Sequence, residues 1–152
     1  MLKSGDLAPH FQLLDQNNHT VSLSDFIGKQ NLVIFFYPKD HTAGCTAQSC
    51  SFRDNYSAFK GLDAQVLGIS ADSLSSHQGF ATEYNLPFPL LSDQNGAVAT
   101  LFGVKKTLGF LPGRVSFVID KQGVIRHVFS SQMQVRSHVD ETLTALKNLE
   151  QK

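Results

Sequence analysis

Residues 31–50 read NLVIFFYPKDHTAGCTAQSC and pass from an almost unbroken apolar run into a polar loop and two cysteines. The apolar run at 31–37 predicts a β-strand that is covered on both faces. Beyond it, the sequence predicts a helix that begins close to Cys45. A thiol at a helix N-terminus is exposed to the positive end of the helix dipole and to free backbone N–H groups, and both favour the thiolate. Cys45 is therefore a candidate nucleophile.

The segments outside this stretch predict a mixed sheet flanked by helices. Apolar segments on either side of polar residues 15–19 predict a hairpin, and a second hairpin is predicted around residues 120–123. Strands are also predicted at 65–70 and 90–91, each followed by a helical pattern. The short helix after the second of these is expected to bury Val98, Leu101 and Phe102. A last helix is expected to bury Val139, Leu143, Leu146 and Leu149. This alternation indicates an α/β fold.

The composition favours a compact protein that acts on a small, roughly neutral substrate. The chain has 152 residues, of which 41% are apolar, and 13 basic residues balance 13 acidic ones. This balance gives no long-range field that would attract nucleic acid or an anionic membrane. We find no stretch of about 20 apolar residues and no apolar core of a signal peptide, so we expect a cytoplasmic protein. Two cysteines are too few for a disulfide framework and indicate catalysis, redox sensing or metal binding.

The spacing of the cysteines predicts that they face different surroundings. Phe52, Tyr56 and Phe59 follow Cys45 at intervals that place all four residues on one side of a single helix. On that helix Cys50 is rotated by about 140° from Cys45, and the two Cα atoms lie about 8.7 Å apart. A disulfide usually requires about 4.4 to 6.8 Å between those atoms. We expect Cys45 to face the core and Cys50 the solvent, so that a bridge between them requires the helix to unwind.

This asymmetry favours a redox-active pair, in which the sheltered thiolate attacks an oxidant and the exposed thiol then captures the sulfenic acid. Two alternatives stay open at this point. The cysteines could be small apolar side chains of the core. They could also bind zinc together with His41, although such a site would need a fourth ligand.

The pattern Pro38-x-x-x-Thr42-x-x-Cys45, with Cys50 five residues later, resembles the active-site signature of the peroxiredoxins, and within them the bacterioferritin comigratory protein or peroxiredoxin Q group. The opening GDLAPHF at 5–11 and the segment LPGRVSFVID at 111–120 extend this resemblance over nearly the whole chain. It implies a single thioredoxin-like domain over 1–152, with a mixed central sheet flanked by helices and an N-terminal hairpin extension.

The resemblance also implies the role of each site residue. Cys45 would attack the peroxide, and Cys50 would form a disulfide with it. The Thr42 hydroxyl and the N–H groups at the helix start would contact the peroxide, Pro38 would shield the thiolate from water, and Arg114 would stabilise thiolate and substrate. Taken singly, Pro38 could merely end a strand, Thr42 could merely cap a helix, and Arg114 could be a surface cation.

The implied activity is the reduction of hydrogen peroxide and alkyl hydroperoxides without metal, haem or flavin. A thioredoxin-like dithiol protein would recycle the enzyme, which we expect to be a monomer without nucleic-acid or membrane partners. The wording at 111–114 is similar to that of photosynthetic members, so a plastid is the alternative compartment. Two other functions remain open: a general disulfide oxidoreductase, although the usual CxxC spacing is absent, and a redox-regulated binding module.

Three residues depart from the usual family pattern. Ala43 replaces a common proline, Gln48 replaces a common glutamate and thereby removes a negative charge, and His41 stands where an acidic residue is common. None of these changes removes a reacting group. His41 could donate a hydrogen bond to the site, or it could be a solvated loop residue.

Overall fold

A computed structural model describes residues 1–107 and 111–150, which form a seven-stranded mixed sheet with helices on both faces. The strands are β1 (Gln12–Asp15), β2 (Thr20–Ser22), β3 (Asn31–Phe36), β4 (Ala64–Ser70), β5 (Leu90–Ser92), β6 (Lys106–Thr107), β7 (Leu111–Pro112), β8 (Val115–Ile119) and β9 (Ile125–Ser130). The helices are α1 (Ala43–Asp54), α2 (Tyr56–Gly61), α3 (Leu74–Glu83), α4 (Ala97–Leu101) and α5 (Ser137–Glu150). Within the described ranges, none of these helices combines the length and the apolar character needed to cross a bilayer.

Strand β3 lies inside the sheet, between β4 and β8, and contributes to two hydrophobic cores. All six of its residues are buried. Val33 and Phe35 pack with residues of α1, α2, α3 and α5 on one face, whereas Leu32, Ile34 and Phe36 pack with α4 and the N-terminal segment on the other. Alternate side chains of a strand point to opposite faces, so this apolar run supplies both cores. The predicted strand with two covered faces is confirmed.

The sheet has the strand order β2-β1-β5-β4-β3-β8-β9, and β6 pairs with β7 in a separate ribbon that the sequence analysis did not predict. Strands β3, β4 and β5 are parallel, and the remaining pairs are antiparallel. Both predicted hairpins are present, β1–β2 at one edge and β8–β9 at the other. Because β3 and β4 are parallel, the loops that follow them lie at the same end of the sheet, where α1 begins.

Two helix predictions were wrong in detail. The single helix from Cys45 to Phe59 is in fact two, since Asn55 leaves helical geometry at φ −109° and ψ 10°. Its side-chain amide donates to the Ser51 carbonyl at 2.8 Å, which ends α1. Phe52 and Phe59 nevertheless reach the same core. Val98 is buried as predicted, but Leu101 is 51% exposed, because the five-residue α4 buries Ala99 in its place.

Replacing Gly68 by alanine should destabilise the protein. A Cβ atom at this β4 position would lie 2.9 Å from both Leu90 Cδ2 and Phe35 Cζ. Overpacking of this kind typically costs about 1–3 kcal/mol, which urea unfolding would measure.

Gly79→Ala is the matched control, because the added Cβ meets open space on the exposed face of α3. Gly79→Ala should be neutral or stabilise by up to about 1 kcal/mol. Equal unfolding free energies for the two variants would contradict the packing described for β4.

Candidate active site

Cys45 is the third residue of α1, at the helix end that follows the central strand β3. Its side chain is fully buried and packs in the same core as Phe35 and Phe52, whose rings stack with centroids 4.5 Å apart. The first backbone N–H groups of a helix have no partner within the helix and point towards its N-terminal end. The thiol is thus surrounded by apolar side chains and lies next to the positive end of the α1 dipole.

Arg114 brings a full positive charge to this thiol from a distant part of the chain. The side chain is only 7% exposed, and its Nη1 lies 3.4 Å from Cys45 Sγ. The guanidinium also crosses the first turn of α1, where a Cβ on Gly44 would lie 3.0 Å from Nη2. Because glycine at position 44 has no Cβ, the guanidinium can occupy this space. Arg114 is not the surface cation that its sequence position alone allowed.

Gln48 also binds the guanidinium, a contact that was not predicted from the sequence. Its side chain is fully buried, and Oε1 accepts a hydrogen bond from Arg114 Nη1 at 2.7 Å. The signal in the sequence was its position three residues after Cys45, on the same side of the helix. Because the amide is neutral, it orients the guanidinium without cancelling its charge, and that charge stays available to a thiolate.

Arg114 is further fixed by the loop after β9. Its Nε donates to the Gln132 carbonyl at 3.2 Å, and its own carbonyl accepts from the Ser131 N–H at 3.2 Å. The buried His138 ties this loop down, since Nε2 donates to the Ser131 carbonyl and Nδ1 accepts from the Ser116 hydroxyl. Burial, with a smaller contribution from the Arg114 charge, lowers the pKa of His138 below its ordinary value. A neutral imidazole fits both of these hydrogen bonds.

Thr42 and Pro38 lie on the loop between β3 and α1. Thr42 occupies the N-cap position, but its hydroxyl donates to the Lys39 carbonyl at 2.8 Å and makes no capping bond. It is exposed, three residues before Cys45, so its oxygen lone pairs are accessible. Pro38 is half-buried directly after Tyr37. His41 is part exposed, with Nδ1 3.3 Å from Glu83 Oε2 and its ring against Phe80.

Cys50 lies on another side of the same helix and does not contact Cys45 as a disulfide partner; both thiols are free. It was expected to face solvent but is half-buried, in a groove of about 470 Å³ that includes Arg136 and Val139 near the start of α5. This burial raises the pKa of the Cys50 thiol; Arg53 opposes the shift and Asp54 adds to it. Cys50 is therefore held mainly as the protonated thiol at neutral pH.

A family model and a curated relative each match most of this chain. Residues 4–128 match the model of the AhpC/TSA family. A chloroplastic peroxiredoxin Q of Triticum aestivum is 47% identical over 149 residues, which are 97% of this chain and 68% of that protein.

Two solved structures are similar over most of their length. Peroxidoxin BcpB of Mycobacterium tuberculosis has a TM-score of 0.91 at 37% identity, with 98% of this chain and 99% of that chain covered. The bacterioferritin comigratory protein of Xanthomonas campestris, described for its alkyl peroxide reduction, has a TM-score of 0.83 at 30% identity, with 91% of each chain covered. Together with the observed sheet, these likenesses confirm the predicted thioredoxin-like fold with an N-terminal hairpin.

Replacing Gln48 by glutamate should slow the reaction of Cys45 with iodoacetamide at neutral pH. The carboxylate would pair with Arg114 at the 2.7 Å contact now made by the amide, and its charge would disfavour a thiolate next to it. We expect a decrease of about tenfold, measured in a Cys50→Ser background so that only Cys45 reacts.

Ala47→Glu serves as the control, because it places the same charge on the exposed side of α1, where solvent screens it. An alkylation rate in Gln48→Glu that equals the rate in Ala47→Glu would show that the Arg114 charge does not act on Cys45.

Proposed function

The chain belongs to the AhpC/TSA family, in the peroxiredoxin Q and bacterioferritin comigratory protein group of thiol peroxidases, and we propose that it reduces hydrogen peroxide and alkyl hydroperoxides at Cys45. The observation that carries this proposal is the contact of 3.4 Å between the Arg114 guanidinium and the buried Cys45 sulfur at a helix N-terminus. A low thiol pKa alone does not make a fast peroxidase, since nucleophilicity falls as the pKa falls. The substrate must be polarised as well.

In the first step, the Cys45 thiolate attacks the terminal oxygen of ROOH. A sulfur–oxygen bond forms, the O–O bond breaks, and the products after proton transfer are the Cys45 sulfenic acid and ROH. Negative charge grows on both oxygens, so Arg114 and the free N–H groups at the start of α1 stabilise the transition state more than the substrate. The Thr42 hydroxyl already donates to the Lys39 carbonyl, so its oxygen can accept a hydrogen bond from the O–H of the hydroperoxide. Pro38 shields the thiolate from water.

In the second step, the Cys50 sulfur attacks the sulfur of the Cys45 sulfenic acid, and water leaves as the disulfide forms. Both cysteines lie on the continuous helix α1, where a five-residue separation keeps the Cα atoms about 8.7 Å apart. The bridge therefore requires part of α1 to unwind. Unwinding also takes Cys50 out of its groove and removes the burial that raises its pKa.

A dithiol protein of the thioredoxin type completes the cycle by thiol–disulfide exchange. Its two thiols become a disulfide and the two cysteines of this chain return to thiols, so each turnover converts ROOH and a dithiol into ROH, water and a disulfide. The wheat relative is chloroplastic, which supports the plastid alternative; the cytoplasmic location and the monomeric state stay predictions.

Rapid mixing of the reduced protein with one equivalent of hydrogen peroxide, followed by intact mass analysis, tests this assignment. The wild type should lose about 2 Da as the disulfide forms, and Cys45→Ser should show no fast change. Cys50→Ser should still be oxidised at Cys45, with a gain of about 16 Da, but should not be recycled normally by thioredoxin.

Cys50→Ser separates the two steps and serves as the internal control. Full turnover of Cys50→Ser with thioredoxin would exclude Cys50 as the resolving thiol. Slow or Cys45-independent oxidation of the wild type would exclude the peroxidase and favour a redox-regulated binding module.

A further inference from the structure

A second cluster of titratable side chains lies directly beneath the loop that carries Pro38 and Thr42. The side chains of Asp40 and His77 are both 0% exposed, and Asp40 Oδ2 lies 2.6 Å from His77 Nδ1. Asp40 also accepts from the Tyr37 hydroxyl at 2.6 Å and from the Ser76 hydroxyl at 2.9 Å. The hydrogen bonds to this buried carboxylate hold it firmly in place, because loss of any partner would leave a buried polar atom unpaired.

Hydrogen-bond accounting fixes the proton count of the pair. His77 Nε2 lies 2.9 Å from the Leu91 carbonyl, which can only accept, so Nε2 carries a proton. Nδ1 faces a carboxylate oxygen at hydrogen-bond distance, so one further proton lies between Nδ1 and Asp40 Oδ2. The pair is therefore neutral as a whole whichever atom holds that proton. It connects the loop to α3 through His77 and to β5 through Leu91.

The backbone of the loop is anchored at the same residue. The Asp40 N–H donates to Asp72 Oδ2 at 2.8 Å, and the Ser70 hydroxyl holds the same oxygen at 2.6 Å. The next residue, His41, has φ +66°, a left-handed conformation that is uncommon for residues other than glycine. Such a conformation persists only where the surroundings impose it. Here the restraint comes from the side chain and the N–H of Asp40.

Metal binding is a poorer reading of this cluster. Ligand atoms of Asp40, Asp72 and His77 lie within 4.8 Å of one another. However, Asp40 and His77 face each other across a shared proton, and the Asp72 oxygen already accepts from the Asp40 N–H and the Ser70 hydroxyl. The candidate ligand atoms are thus already engaged in hydrogen bonds within the protein.

We propose that Asp40 and His77 form a positioning pair that holds the 38–42 loop so that the Thr42 hydroxyl meets the peroxide in register. This inference rests on the proposed peroxidase function. The pair touches neither Cys45 nor the substrate; it acts through the loop. It therefore controls the rate of the first oxidation and leaves the reactivity of the thiolate towards a simple alkylating agent unchanged.

Two substitutions of His77 separate the two contacts of its ring. His77→Gln places an amide near the former Nε2, which keeps the Leu91 contact and loses Asp40. His77→Asn places an amide near the former Nδ1 and keeps the Asp40 contact. In a Cys50→Ser background, His77→Gln should slow oxidation of Cys45 by hydrogen peroxide by about 10-fold or more, since small misplacements have effects of this size. His77→Asn should slow it by less than about threefold.

Further variants distinguish positioning from loss of structure. Asp40→Asn can satisfy Tyr37, Ser76 and a neutral His77, so it should retain most of the rate. Alkylation of Cys45 by iodoacetamide should change by less than about twofold in every variant. If His77→Gln does not fold, Tyr37→Phe removes one hydrogen bond to Asp40 with little change in packing and should slow only the peroxide reaction. In a Thr42→Val background, His77→Gln should slow oxidation of Cys45 by peroxide by less than about a further threefold. Both substitutions then affect the same contact, the one between Thr42 and the peroxide.

The proposal is overturned by equal slowing in His77→Asn and His77→Gln, by a peroxide rate in His77→Gln equal to that of the parent, or by parallel losses of peroxide and alkylation rates. Failure of the proposed function would look different, since the Cys50→Ser parent itself would then not react rapidly with peroxide.

Discussion

Cys45 and Cys50 lie on one short helix, and this position determines how the two thiols can react. A five-residue separation in α1 turns Cys45 into the core and Cys50 into a groove beside α5. The reduced fold therefore keeps the two thiols apart and gives them different surroundings. In this account the same helix must first be formed, so that Cys45 meets the peroxide, and then be unwound, so that Cys50 reaches the sulfenic acid.

The formed state is maintained around a buried guanidinium. Burying Arg114 is expensive unless its donors are paired, and here they face Gln48, Gln132 and Cys45. Since both glutamine oxygens belong to neutral groups, the positive charge is left for the thiolate and for an incoming peroxide. The second buried cluster holds the 38–42 loop: Asp40 and His77 are removed from water, but their polar side-chain atoms are paired with each other and with neighbouring residues.

Local patterns in the sequence predicted most of the fold. The unbroken apolar run at 31–37 indicates a strand that is buried on both faces. In the two hairpins, turn residues between apolar segments indicate where the chain reverses direction. The end of α1 at Asn55 was not predicted because it depends on one side-chain hydrogen bond. The exposure of Leu101 was not predicted because a five-residue helix is too short for a clear apolar periodicity. Within the site, spacing alone indicated that Cys45 faces inward, whereas Arg114 came from family resemblance. The contacts Arg114–Gln48 and Asp40–His77 join residues 66 and 37 positions apart, which only tertiary structure brings together.

Backbone hydrogen exchange can show whether α1 is formed when Cys45 reacts and unwound once the disulfide exists. Amide exchange should be compared in the reduced protein, in the peroxide-treated wild type, and in peroxide-treated Cys50→Ser, which can be oxidised but cannot form the bridge. Our expectation is that protection is lost over part of Ala43–Asp54 in the oxidised wild type alone, while the strand β3 stays protected. Equal protection of α1 in the reduced and disulfide forms would contradict it.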